Sequence, residues 1–178
     1  MKRKSLLLYF IIISSICYSQ QGTFKVGIGV DMIVPGNSEF RNDFKTGVGG
    51  YLKGLYGVGE MGQITFITGY SSLKQKQVLK NTFTSIPLLL GYRFFIKGFY
   101  IEPQAGYSIN QYKNKTSYAF ADHINLPSAF TWAAGIGYEI RNLDIGIHYK
   151  SAHLNGQGFS LWEFHMGYNF SLNPGKKE

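Results

Sequence analysis

Apolar and polar residues alternate with period two through most of the chain beyond residue 22. That period belongs to strands with one apolar and one polar face. The clearest stretch is Ile86 to Asn110, IPLLLGYRFFIKGFYIEPQAGYSIN. One parity carries Ile86, Leu88, Leu90, Tyr92 and Phe94, then Phe99, Ile101, Pro103, Ala105, Tyr107 and Ile109. The other carries Pro87, Leu89, Gly91 and Arg93, then Tyr100, Glu102, Gln104, Gly106 and Ser108. Two such runs joined at Lys97-Gly98 read as a β-hairpin. A two-residue turn there sets Arg93 opposite Glu102 on the polar face and Leu88 opposite Tyr107 on the apolar face.

The pattern repeats along the chain. A first strand is expected over about Thr23 to Val34 and a second over about Phe44 to Val58, separated by the polar stretch Pro35 to Asp43. A turn near Gly59 leads to a third strand with Ile64, Phe66 and Tyr70 on its apolar side. After a Lys- and Gln-rich loop, Ser71 to Lys80, comes the hairpin, and then the longest loop, Gln111 to Pro127. Phe130 to Ile140, Leu143 to Lys150 and Trp162 to Leu172 supply three more strands, the first two joined at Arg141-Asn142. No mature segment of ten or more residues has a helical period. The expected fold is all-β, an eight-stranded antiparallel up-and-down transmembrane β-barrel.

The face that points inward decides between classes. A soluble lipocalin-like barrel turns its apolar face in around a ligand, and a membrane barrel turns it out into lipid. The apolar parity holds most of the strand aromatics, too many for an interior that barely accommodates its own side chains. The polar parity is crowded with glycine, including Gly27, Gly29, Gly135, Gly137, Gly146 and Gly167, which makes room in a narrow lumen. Aromatics also recur at a fixed offset, as in Phe99 with Tyr107, Phe130 with Tyr138 and Trp162 with Phe170. That offset spans roughly 20 Å along the membrane normal, close to the spacing of two interfacial aromatic girdles. The outward reading is preferred.

Connections after the second, fourth and sixth strands are short, and the others are longer and polar. Outer-membrane barrels keep short turns in the periplasm and long loops outside. The N-terminal segment fits that destination. Lys2, Arg3 and Lys4 precede the apolar run Leu6 to Ile13 and the small residues up to Ser19, which describes a cleaved secretory signal peptide over 1–19. The barrel then occupies 20–172, followed by a short periplasmic tail, 173–178. Cys17, the single cysteine, leaves with the signal, so neither disulfide nor thiol chemistry is expected. A mean hydropathy of -0.08 is compatible with a membrane barrel, because only alternate strand residues meet lipid. The formal net charge is +8, but the mature cations are scattered singly, without the basic stripe of a nucleic-acid binder.

Candidate chemistry lies on the inward parity. Lys25, Lys45, Lys53, Arg93 and Lys150 face Asp31, Glu102, Glu139, Asp144 and Glu163, with His148 and His165 among them. Opposite charges in balance, in a lumen too narrow for bulk water, imply a cross-lumen ion-pair network that plugs the barrel. A two-residue turn at Arg141-Asn142 makes Glu139 and Asp144 direct neighbours, so a cation such as Lys25 or Arg93 is needed beside them. A catalytic reading would use His148, His165 and Glu163 with Ser151 and His153, yet no local motif fixes a Ser beside a His. Gly57-Val58-Gly59-Glu60-Met61-Gly62 matches GxGxxG but bridges two strands rather than opening a helix. No cofactor and no metal site is expected.

Ile86-Pro87-Leu88-Leu89-Leu90-Gly91-Tyr92 and Tyr100-Ile101-Glu102-Pro103-Gln104-Ala105-Gly106 resemble the central hairpin of the bacterial outer-membrane β-barrel domain family, which includes PorT-like barrels. Gly47 to Leu52 resembles its second strand, and Phe170 near the end of the last strand is similar to the signal read by the barrel-assembly machinery. The resemblance implies the fold, integral residence in outer-membrane lipid and that machinery as a partner in biogenesis. It supplies no activity. The expected function is a non-enzymatic barrel whose extracellular loops serve surface interaction or an envelope or secretion accessory role. Tyr112, Tyr118 and Phe120 are the candidate contact residues. A lipid A-modifying outer-membrane enzyme and a soluble lipocalin-like barrel are the alternatives.

Overall fold

The computed structural model describes residues 22–59, 61–76, 81–113, 123–125, 127–154 and 157–172. The signal segment 1–19 and the tail 173–178 lie outside the described residues, as do Tyr118 and Phe120. Eight long strands form the wall: β1 (Phe24–Pro35), β2 (Gly47–Val58), β3 (Gly62–Lys74), β4 (Thr82–Ile96), β5 (Phe99–Lys113), β7 (Ala129–Ile140), β8 (Leu143–Leu154) and β9 (Gln157–Ser171). Two short elements decorate one end, the helix α1 (Ser38–Asp43) and the strand β6 (His123–Asn125). Each long strand pairs antiparallel with its sequence neighbours in the wall, and β1 pairs with β9 (Ile28 opposite Tyr168) to close the barrel. Closure pairs the backbone polar groups within the wall, which lipid requires of any spanning sheet.

The central hairpin has the expected register. Ile96 pairs with Phe99 and Leu88 with Tyr107 across a turn in which Lys97 (φ 52°) and Gly98 (φ 87°) are both left-handed. That type I′ geometry matches the twist of the flanking strands. At the Arg141-Asn142 turn, Ile140 pairs with Leu143 and Glu139 with Asp144. β4 and β5 run for 15 residues each, farther than the alternation alone indicates. At ~3.3 Å per residue and a tilt of ~40° they reach roughly 38 Å along the normal, well beyond an apolar band ~25 Å tall. The hairpin therefore projects beyond the membrane at the end where the longer connections lie.

The wall is apolar outside and mixed inside. Val48 is 70% exposed, Ile136 62% and Leu90 60%, values that suit lipid contact and would expose a large apolar band to water. The lipocalin-like alternative needs this face inward, and the geometry places it outward. Inside, the fill changes along the barrel axis. Towards the short turns it is polar. Towards the long connections it is apolar, with Ile33, Phe44, Leu73, Phe83, Phe159 and Leu161 buried in one cluster.

Candidate functional site: the barrel lumen

The polar half of the lumen is built around Arg93. Its position two residues before the Phe95–Tyr100 pair sets it on the inward face of β4 near the short-turn end. Its guanidinium reaches Glu102 at 2.7 Å, Asp144 at 2.9 Å and Glu139 at 3.2 Å, and the ring of Tyr100 lies 3.6 Å from its central carbon. Lys25 donates to Glu139 at 2.7 Å, and Lys53 lies 3.4 Å from Asp144 and 3.7 Å from Glu102. Three cations from β1, β2 and β4 thus meet three carboxylates from β5, β7 and β8. Arg93, Glu102 and Asp144 have no solvent exposure. The adjacency of Glu139 and Asp144 across the Arg141-Asn142 turn is met by Arg93, which contacts both, with Lys25 on Glu139.

Neutral groups complete the network. Thr65 Oγ1 donates to Glu102 at 2.8 Å, Gln104 Nε2 to Glu102 at 3.0 Å and Asn169 Nδ2 to Glu139 at 3.2 Å. The Tyr100 hydroxyl donates to Asp144 and lies 2.9 Å from His165 Nε2. Each carboxylate keeps several donors, which a buried charge requires. Two glycines make the crowding possible. A Cβ on Gly137 would overlap the Tyr100 ring, and one on Gly135 would overlap the His148 imidazole.

Above this layer sits a second group. Lys150 donates to Glu163 at 2.7 Å, and the rings of His148 and His165 stack with centroids 4.6 Å apart. Asp31 faces the same space, a cavity of about 30 Å³ that Tyr51, Lys53, Lys150 and Glu163 also line. A cavity of that size holds one or two water molecules rather than a column of solvent. Higher still, α1 turns its Phe40 into the barrel mouth. That ring stacks on Phe44 at 4.4 Å and Phe159 at 5.4 Å, and meets Phe83 edge-on at 5.3 Å. Among the described residues, no group of three His, Cys, Asp or Glu is placed to hold a metal ion.

Two expected assignments are corrected here. Lys45 does not face the lumen. Sheet pairing of β2 begins only at Gly47, and the inward place is taken by Phe44, whose ring gains more from the apolar cluster than an ammonium would. Lys45 is exposed at the rim, its N–H bonded to the Lys74 carbonyl at 2.9 Å. Tyr112 is not a free surface anchor. It packs against the apolar cluster, and its hydroxyl bonds Gln75 at 2.5 Å and Asn81 at 2.9 Å. The other lumen residues face inward, in two groups with Asp31 beside the second. The catalytic candidates separate: His148 and His165 are inside, Glu163 is taken by Lys150, His153 is exposed on the outward parity of β8, and Ser151, on the same parity, is buried.

The family model of the outer membrane protein beta-barrel domain matches residues 5–170. The chain belongs to that family. Membership places this barrel in the bacterial outer membrane, as the exposed apolar wall requires. No curated protein matches the sequence. Among solved structures, the chain is similar to Ail, the attachment invasion locus protein of Yersinia pestis, in complex with the heparin analogue sucrose octasulfate. The TM-score is 0.65 at 16% identity, covering 85% of this chain and 100% of Ail. It is also similar to the N-terminal β-barrel domain of Pseudomonas aeruginosa OprF, with TM-score 0.60, 18% identity, and coverage of 84% and 100%. Neisserial surface protein A gives 0.57 at 13% identity, with coverage of 86% and 100%. At these identities the likeness is one of fold.

Proposed function

We propose that this outer-membrane barrel is a non-enzymatic, non-conducting scaffold that presents its long connections at the cell surface for interaction or for an accessory role in envelope or secretion assembly. The observation that carries the reading is the double filling of the lumen. Arg93, bound by three carboxylates, blocks one half, and the Phe40, Phe44, Phe83 and Phe159 rings occupy the other mouth. Opening a path would strand buried charges at one end and expose apolar rings at the other.

The test is single-channel recording on the full barrel reconstituted in planar bilayers. The expected record is free of discrete conductance steps, and regular steps would refute the scaffold reading. The lipid A-modifying alternative is tested by lipid A mass on overexpression. An unchanged mass is expected, because among the described residues the inward histidines bond Gln104, Tyr100 and Asp144 rather than a serine hydroxyl, and they point away from lipid. A shifted mass would restore the enzyme.

A further inference from the structure

The outer wall of the described strands is predominantly apolar. Among the described residues, the charged side chains on the outward parity of the eight long strands are Lys74, at the end of β3, and Lys113, at the end of β5. Their neighbours fix that orientation, since Leu73 and Phe83 are buried in the interior cluster and Tyr112 packs against it. Both lysines pair with the same residue, Thr82 of β4, so Lys74, Thr82 and Lys113 form one row across three adjacent strands. At ~4.8 Å between neighbouring strands, the two lysine backbones are ~10 Å apart. Lys45 joins them from the loop after α1, through its backbone bond to Lys74. Among the described residues none of the three ammonium groups has a carboxylate partner, and the nearby Asp43 is exposed without an ion pair.

Polarity falls off in steps below this row. Ser72 and Gln111, both half-buried, flank the buried Thr84 in the next row of the same strands. Beneath them the wall turns apolar with Tyr70, Ile86 and Ile109, all exposed, followed by Leu88 and Tyr107. Lys74 is four residues beyond Tyr70, or roughly 10 Å higher along the normal, at the level of lipid headgroups once its flexible stem is counted. Cations, then a hydroxyl and an amide, then an apolar surface is the profile of a phosphorylated glycolipid read from headgroup to chain. Fixed strands also hold like charges in one row, and a multiply charged anion relieves their repulsion.

We infer that the β3–β4–β5 face binds the phosphorylated headgroup of an outer-leaflet glycolipid. Lys45, Lys74 and Lys113 hold phosphate, Ser72, Thr82 and Gln111 meet sugar hydroxyls, and the acyl chains lie on Tyr70, Ile86, Leu88 and Ile109. The inference rests on the orientation proposed above, with the long connections outside the cell.

The test is native mass spectrometry of the full barrel in detergent, with lipid A carrying two phosphates against the same lipid after enzymatic dephosphorylation. The wild type is expected to retain the phosphorylated form at least about tenfold more strongly. Lys74→Gln and Lys113→Gln each lower that retention about fivefold, and the double variant removes the preference. Lys74→Arg preserves it, as does Lys97→Gln in the turn at the opposite end. Heat-modifiable gel mobility verifies that each variant is folded. Equal retention of the two lipids by the wild type overturns the site, and so does a preference that survives in the double variant. Displacement of the lipid by millimolar inorganic phosphate overturns a lipid as the occupant. Labelling of Lys74→Cys on intact cells by a membrane-impermeant maleimide separates the two readings. Absence of labelling overturns the orientation, whereas labelling without lipid preference overturns this site alone.

Discussion

Replacing Arg93 with Met removes one of the three cations and leaves Glu102, Glu139 and Asp144 facing Lys25 and Lys53. Lys25 remains 2.7 Å from Glu139, and Lys53 is 3.4 Å from Asp144 and 3.7 Å from Glu102, so one lysine serves two fully buried carboxylates. Removing one partner of a buried ion pair costs about 3–5 kcal/mol, because the remaining charge is neither solvated nor neutralised. The lost stacking on Tyr100 adds to this. The double variant Arg93→Met with Glu102→Gln restores the balance at two cations and two anions. It should therefore cost clearly less than the two single changes added together, with a coupling on the order of 3 kcal/mol. Urea titration of the barrel folded into lipid vesicles provides the assay. Trp132 and Trp162, on the outer wall, report the loss of lipid contact through red-shifted emission. With a slope of about 2 kcal/mol per molar urea, a 4 kcal/mol loss lowers the midpoint by about 2 M. A midpoint within about 0.5 M of wild type, or single costs that simply add, would refute the network as the origin of stability.

Other changes probe the remaining parts of the lumen and rim. Phe159→Ala removes the ring on which Phe40 and Phe83 pack and should cost about 3 kcal/mol in the same titration, since the apolar mouth cannot collapse around the void. Gly137→Val should prevent the compact, heat-modifiable form, because its Cβ would occupy the place of the Tyr100 ring. Gly54→Ala, where a Cβ meets nothing within 4 Å, should be tolerated, and equal behaviour of the two variants would count against the socket. Deleting residues 114–122 should leave gel mobility unchanged while removing any binding of a surface partner. Loss of that mobility would make the segment part of the folding unit.

Strand identity, hairpin register and the direction of each face were legible because they follow from a two-residue period and from turn chemistry. The Lys97-Gly98 turn illustrates how much follows from one local feature. Left-handed geometry at both positions fixes the register, and the register sets the Arg93 and Glu102 backbones opposite one another on adjacent strands. The remaining contacts of Arg93 were less accessible. Asp144 and Glu139 reach it across the lumen from β8 and β7, and that depends on the barrel's diameter and stagger, not on any stretch of sequence. Thr65, Tyr100 and Asn169 belong to the same case: each lies on the inward parity, but its partner is set by closure.

The apolar mouth is a different kind of miss, because a signal for it was present. Met32-Ile33-Val34 and Phe159-Ser160-Leu161-Trp162 break the strict alternation at the long-loop end of their strands. In a wall with lipid outside and charges inside, residues on both parities become apolar only where the interior has become apolar too. Ile33, Leu73, Phe83 and Leu161 mark that level, and all four are essentially buried. A six-residue helix then follows from the same demand. Phe40 and Phe44, one helical turn apart, present two rings to a mouth already lined with apolar side chains, so Ser38–Asp43 folds inward rather than extending β2. This displacement moves Lys45 out of the lumen series and onto the rim beside Lys74. The residue misassigned from parity thus joins two lysines that their own strands turn outward, and it does so through one packing event, the closing of the barrel mouth by α1.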